Sequence, residues 1–149
     1  MFQSSRRLLA TLLLLAMPLV VGACAKKTDQ MQSQSSQTSQ VTVTSVDLGK
    51  TIGADKRVTD QADTFAPNDV IYATVLTDGS SPNVVLRTTW MFQDGQVVAQ
   101  SERVIAPNGQ TATEFHIEKP DGLPPGKYKV VVSLDGNPVQ TKEFEVKSS

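Results

Sequence analysis

Hydrophobic and polar positions divide the chain into three regimes. Over residues 8–21 only Thr11 is polar. Over 25–41 Gln, Ser and Thr dominate, and apolar side chains nearly vanish. From Val41 onward apolar residues return at every second position. In 127–134, Tyr128, Val130, Val132 and Leu134 share one parity, and Lys127, Lys129 and Ser133 take the other. In 84–92, Leu86, Trp90 and Phe92 oppose Arg87 and Met91; in 111–118, Phe115 and Ile117 oppose Glu114, His116 and Glu118. A period of two with one polar face predicts antiparallel strands buried on one side. No stretch after the first regime has a helical period.

Turn signals punctuate the third regime at Asp78-Gly79, Asp94-Gly95, Asn108-Gly109, Asp121-Gly122 and Asp135-Gly136. Such pairs accept the positive φ of tight turns. Pro67, Pro82, Pro107, Pro120, Pro124, Pro125 and Pro138 fall at the run boundaries, where a missing N–H does least harm. The pattern predicts strands near 41–48, 54–59, 69–77, 84–92, 96–105, 111–118, 127–134 and 139–147. Short strands at this spacing predict a sandwich or barrel.

The placement of Trp90 in the third main strand resembles immunoglobulin-like sandwiches, which bury a Trp there. The segment "DGLPPGKYKV" looks like the E–F corner of those domains, with Tyr128 as the corner tyrosine whose hydroxyl returns to the backbone. The closing stretch "GLPPGKYKVVVSLDGNPVQTKEFEV" is similar to the last hairpin of many bacterial envelope immunoglobulin-like modules. The resemblance implies an all-β antiparallel sandwich of seven or eight strands over 42–149. The cysteine pair usual in such domains is absent, so packing alone must join the sheets. The resemblance brings no catalytic residue with it.

The first regime has a basic start at Arg6 and Arg7, a short apolar run, and small residues at its end. That is the layout of a secretory signal, over 1–23. The run is shorter than the roughly 20 residues that span a bilayer. Val21-Gly22-Ala23-Cys24 resembles the lipobox of bacterial lipoproteins, with Val where Leu is usual. In that family a peptidase cuts before the cysteine. The resemblance implies a diacylglycerol thioether on Cys24 and an N-acyl chain on its freed amine. One acyl chain holds only reversibly, at about 0.8 kcal/mol per buried CH2, whereas two or more anchor stably. Lipoproteins kept on an inner membrane typically carry Asp after the cysteine. Ala25 therefore implies an outer-membrane destination where the host has two membranes.

Residues 24–41 then read as a lipidated N-terminus and a Gln/Ser-rich tether. Such a composition cannot offset its ordering entropy by burial. As a coil it reaches about 23 Å, and at most about 58 Å when extended. Lys26 and Lys27 read equally as solvated charges or as contacts to anionic head groups.

Charge and composition remove several classes of function. The formal net charge of -1 lacks the basic excess of a nucleic-acid binder. One cysteine leaves no internal disulfide and no CxxC metal or redox site. The nucleophile, metalloprotease and phosphate-loop motifs GxSxG, HExxH and GxxxxGK[ST] are absent.

Three weaker clusters remain. Glu114, His116 and Glu118 alternate on one strand face, roughly 6.6 Å apart, and read as a solvated face rather than a metal site. Asp60, Asp63, Asn68 and Asp69 are oxygen-rich but lack the spacing of a calcium loop. Tyr72, Met91 and Arg87 take outward parity, a composition enriched at interfaces.

The expectation is a membrane-anchored envelope lipoprotein. It displays a non-enzymatic module that binds a protein or glycan partner, or serves as an assembly part. It meets the lipid bilayer through acylated Cys24, and it needs no cofactor. The alternative is a small envelope enzyme or enzyme inhibitor acting through loops at one end of the sandwich. A third is a carrier of an apolar ligand between the sheets.

Overall fold

A computed structural model describes residues 40–148. The signal segment, Cys24 and all of the tether before Gln40 lie outside the described residues.

Eight strands follow one another in the described residues: β1 (Thr42–Gly49), β2 (Thr64–Phe65), β3 (Ile71–Asp78), β4 (Val84–Phe92), β5 (Gln96–Ile105), β6 (Thr111–Ile117), β7 (Gly126–Leu134) and β8 (Asn137–Val146). They form two sheets, ordered β1-β3-β6 and β2-β8-β7-β4-β5. All pairings are antiparallel except the short parallel β2–β8 contact. First, second and fifth main strands lie on one sheet; third, fourth, sixth and seventh lie on the other. That division is the immunoglobulin-like order. The expected all-β sandwich is therefore present.

Alternation places the core as the sequence predicts. Val84, Leu86 and Trp90 of β4 are fully buried, as are Val130 and Val132 of β7, with Ile71, Ala73 and Val75 of β3 facing them. Val41 joins this core just ahead of β1. The aromatic residues gather around Phe144. Its ring meets Phe65 and Trp90 edge-on, at 5.7 and 5.8 Å, and stacks on Tyr128 at 5.2 Å. Edge-to-face pairs of this kind contribute about 0.5–1.5 kcal/mol beyond their burial.

Turn chemistry also holds. The glycine of each of the five Asx-Gly pairs has positive φ. The β7–β8 connection consists of Asp135 and Gly136 alone, with φ of 48° and 84°. Positive φ at both central residues defines the type I′ turn that matches strand twist. The Asp135 carboxylate also accepts from the Val85 N–H at 2.8 Å, and its own N–H donates to the Val85 carbonyl. The hairpin tip is thereby latched to β4.

One predicted strand is absent. Residues 54–59 form a turn, closed by Gly53 N–H donating to the Arg57 carbonyl, with Lys56 at φ 63° and a single bridge between Ile52 and Val58. The segment carries one large apolar side chain, Val58, too little to bury a strand face. The loop instead lies on the outer face of the small sheet. There Thr74, 1% exposed, donates to the Lys56 carbonyl and accepts from the Val58 N–H, both at 2.9 Å. The two-residue β2 was not predicted; it is too short to show a period.

Candidate functional site

The sandwich presents its outer five-stranded face, two lateral openings and two loop ends. On the outer face, Arg87 of β4 bonds one carboxylate oxygen of Glu102 of β5, at 2.8 and 3.1 Å. Lys127 and Lys129 of β7 lie directly opposite Glu145 and Glu143 of β8. Opposite charges at facing positions contribute roughly 0.2–1 kcal/mol each. Tyr72 and Met91 are half-buried. Tyr72 and Arg87 lie on opposite sheets, so the three outward residues do not form one patch.

Below the charged rungs an open depression of about 720 Å³ lies at the β4–β5 hairpin, among Asp63, Gln93, Asp94, Lys127, Glu143 and Glu145. Its floor is set by Gly126. This residue has φ of 150°, and a Cβ there would stand 2.6 Å from the Gln93 amide nitrogen and 2.7 Å from the Phe92 ring. Four carboxylates and two ammonium groups line the depression, counting Lys129. They are arranged as neighbours across strands rather than converging on one point.

The strand triad is only partly assembled. His116 Nδ1 lies 2.8 Å from Glu114 Oε1, and its ring sits 5.7 Å from Tyr72 of β3. Glu118 lies beyond the end of β6 and is exposed. The oxygen-rich loop does not converge either. Asp69 accepts from the Ala66 N–H at 2.8 Å and pairs with Lys50 at 2.8 Å. The bond to Lys50 and that N–H hold its carboxyl below the ordinary value of 3.8. The Asp63 carbonyl accepts from Glu145 N–H, its side chain accepts from Thr64, and Asp60 is exposed. Among the described residues no three His, Cys, Asp or Glu side chains are grouped to hold a metal ion.

At the same end as the depression, where Phe92 faces Tyr128 and Leu123 N–H donates to the Pro67 carbonyl, the corner forms as the resemblance implies. The Tyr128 hydroxyl donates to the Pro124 carbonyl at 2.7 Å. Burial pushes its pKa above the ordinary 10.0.

Two residues escaped the sequence reading. Arg103 of β5 lies opposite buried Leu86, so it takes inward parity. Its guanidinium sits 5.8 Å from the Phe115 ring centroid, and its Nε donates to the Glu114 carbonyl at 3.3 Å. Both acceptors belong to β6 of the other sheet. Lys142 of β8 lies opposite buried Val130, and it lines a depression of about 270 Å³ with Asp47, Leu48 and Asp63. Each lateral opening of the sandwich thus holds one cation in an inward register position. The signal was a charge at core parity, masked by irregular alternation in 96–105.

No family model matches the sequence, and no curated protein sequence matches it. Solved structures do share its outline. An immunoglobulin-like protein from Pseudomonas aeruginosa superposes with a TM-score of 0.47 at 13% identity, over 72% of this chain and 96% of that one. The CARDB domain of a Pyrococcus furiosus protein, in complex with di-metal ions, gives 0.45 at 15% identity, over 72% and 87%. A Pseudomonas fluorescens alkylpurine DNA glycosylase bound to DNA gives 0.47 at 13% identity. This chain covers 74% of its own length in that match and 31% of the glycosylase. The immunoglobulin-like assignment rests on this chain's own strand order, its buried Trp90 and its Tyr128 corner.

Proposed function

We propose that the chain is a lipid-anchored envelope protein that displays its immunoglobulin-like module as a non-enzymatic binding or assembly part. Acylated Cys24 would hold it to the bilayer, and Ala25 directs it to the outer membrane where two membranes exist. The observation that carries this reading is Val21-Gly22-Ala23-Cys24, standing at the end of a basic and apolar leader and ahead of a polar stretch. Several charged side chains of the module pair with one another. Arg87 is engaged by Glu102, Asp69 by Lys50, and His116 by Glu114. The mechanism is display: tethering confines the module near its partners and raises their effective concentration. The partner is an envelope protein or glycan.

Replacing Cys24 with Ser tests the anchor. The variant is expected in the soluble fraction, and the native protein's first peptide is expected to carry fatty acyl chains. Membrane retention of the variant, or a bare Cys24 in native extracts, overturns the reading. Crosslinking in cells followed by mass spectrometry then identifies the partner.

A further inference from the structure

We infer that the sandwich is guarded against strand addition along its open edges. This goes beyond the anchoring proposal and does not depend on it. An open strand offers unpaired N–H and C=O groups to any extended chain. Among the described residues the open edges are β1 and β6 of one sheet, and β5 and most of β8 of the other; β2 covers β8 only at Glu145 and Val146.

Three observations coincide at those edges. The register shifts between strands leave Thr44 of β1, Val98 of β5 and Val139 of β8 without a facing residue. The β3–β6 and β4–β7 pairings run without a shift. Every bulge therefore lies in an edge strand, where it twists the edge away from a flat template. Pro138, beside the bulge in β8, has no N–H to offer. Finally, the two cations at core parity, Arg103 and Lys142, each stand on an edge. A strand added beside β5 would lift Arg103 from Phe115 or enclose its charge; one added beside β8 would enclose Lys142. Enclosing an unpaired charge is strongly unfavourable.

The fourth edge, β6, carries no bulge. Arg103 reaches across the opening and occupies its Glu114 carbonyl. One side chain thus protects two edges.

The test replaces both cations with Val in the full chain, purified in detergent. Self-association is read by size-exclusion chromatography with light scattering, and folding by circular dichroism. The Arg103→Val/Lys142→Val variant is expected to lower the apparent dissociation constant for self-association by about tenfold or more. Lys142→Val alone, at an exposed position, should show part of this. Arg103→Lys, which keeps a cation, should behave as the parent. Tyr128→Phe, which weakens the fold on the inner strand β7 and leaves both cations in place, should also remain monomeric. The inference is overturned if the valine variants stay as monomeric as the parent. It is equally overturned if Tyr128→Phe self-associates as strongly as they do. None of these readings depends on whether Cys24 carries lipid.

Discussion

The Tyr128 hydroxyl spans four residues to bond the Pro124 carbonyl, fixing the chain where it enters β7. Tyr128→Phe keeps the ring stacked on Phe144 and removes only this bond. The expected loss is about 1 kcal/mol, with the Pro124 carbonyl left to find water. It is read as a lower urea midpoint at unchanged m. The pH dependence has a definite sign. A raised folded-state pKa means that the neutral hydroxyl is favoured by folding. That contribution is intact below about pH 10 and declines as pH climbs through the folded value. Phe at this position should flatten the alkaline slope.

Asp69 gives the opposite slope. Its carboxyl is held low by Lys50 and the Ala66 N–H. The stabilisation is present above the ordinary value of 3.8 and is lost as pH falls through the lowered one. Asp69→Asn should cost about 1 kcal/mol near neutrality, since the ion pair is half-exposed and only the turn bond is sheltered. The difference between variant and parent should shrink as pH falls through the lowered value, below 3.8. Thermal unfolding across pH 2–8 reads both.

Gly126 has no room for a side chain. Ala there meets the Phe92 ring and the Gln93 amide at a backbone angle that L residues avoid. Gly126→Ala should cost about 1–3 kcal/mol and distort the depression beside the β4–β5 hairpin. Gly136→Ala, where a Cβ meets no atom within 4 Å, loses only its turn conformation. Comparing the two urea midpoints separates crowding from backbone strain.

The loop over the small sheet hangs on one hydroxyl. Thr74→Val preserves shape but leaves the Val58 N–H and the Lys56 carbonyl without their partner. About 1–3 kcal/mol should be lost. Hydrogen exchange should quicken at Val58 while β3 stays protected.

Legibility in the sequence followed burial. Strands β3, β4, β6 and β7 each bury one face, so their alternation gave parity correctly down to Phe115, Trp90 and Tyr128. Strand β5 is exposed on both parities, with Val97 at 53% and Val104 at 68%. Its bulge also shifts parity at Val98, so an inward Arg103 looked like any surface charge. The segment 54–59 was misread because Val58 and Thr59 favour strands locally, while the surroundings offered no partner strand. Glu114 and His116 were rightly placed on one face. Their contact with Tyr72 depends on the β3–β6 register, which no local pattern encodes.

The strand order also sets a sequence of assembly. In the larger sheet, β4–β5 and β7–β8 are hairpins whose partners lie a few residues apart. In the smaller sheet no two neighbouring strands are joined by a tight turn, and β3 must find β6 across two intervening strands. Short-range closure is quick and long-range closure slow. The folding chain would therefore hold two ready-made hairpins before its other layer closes over Trp90.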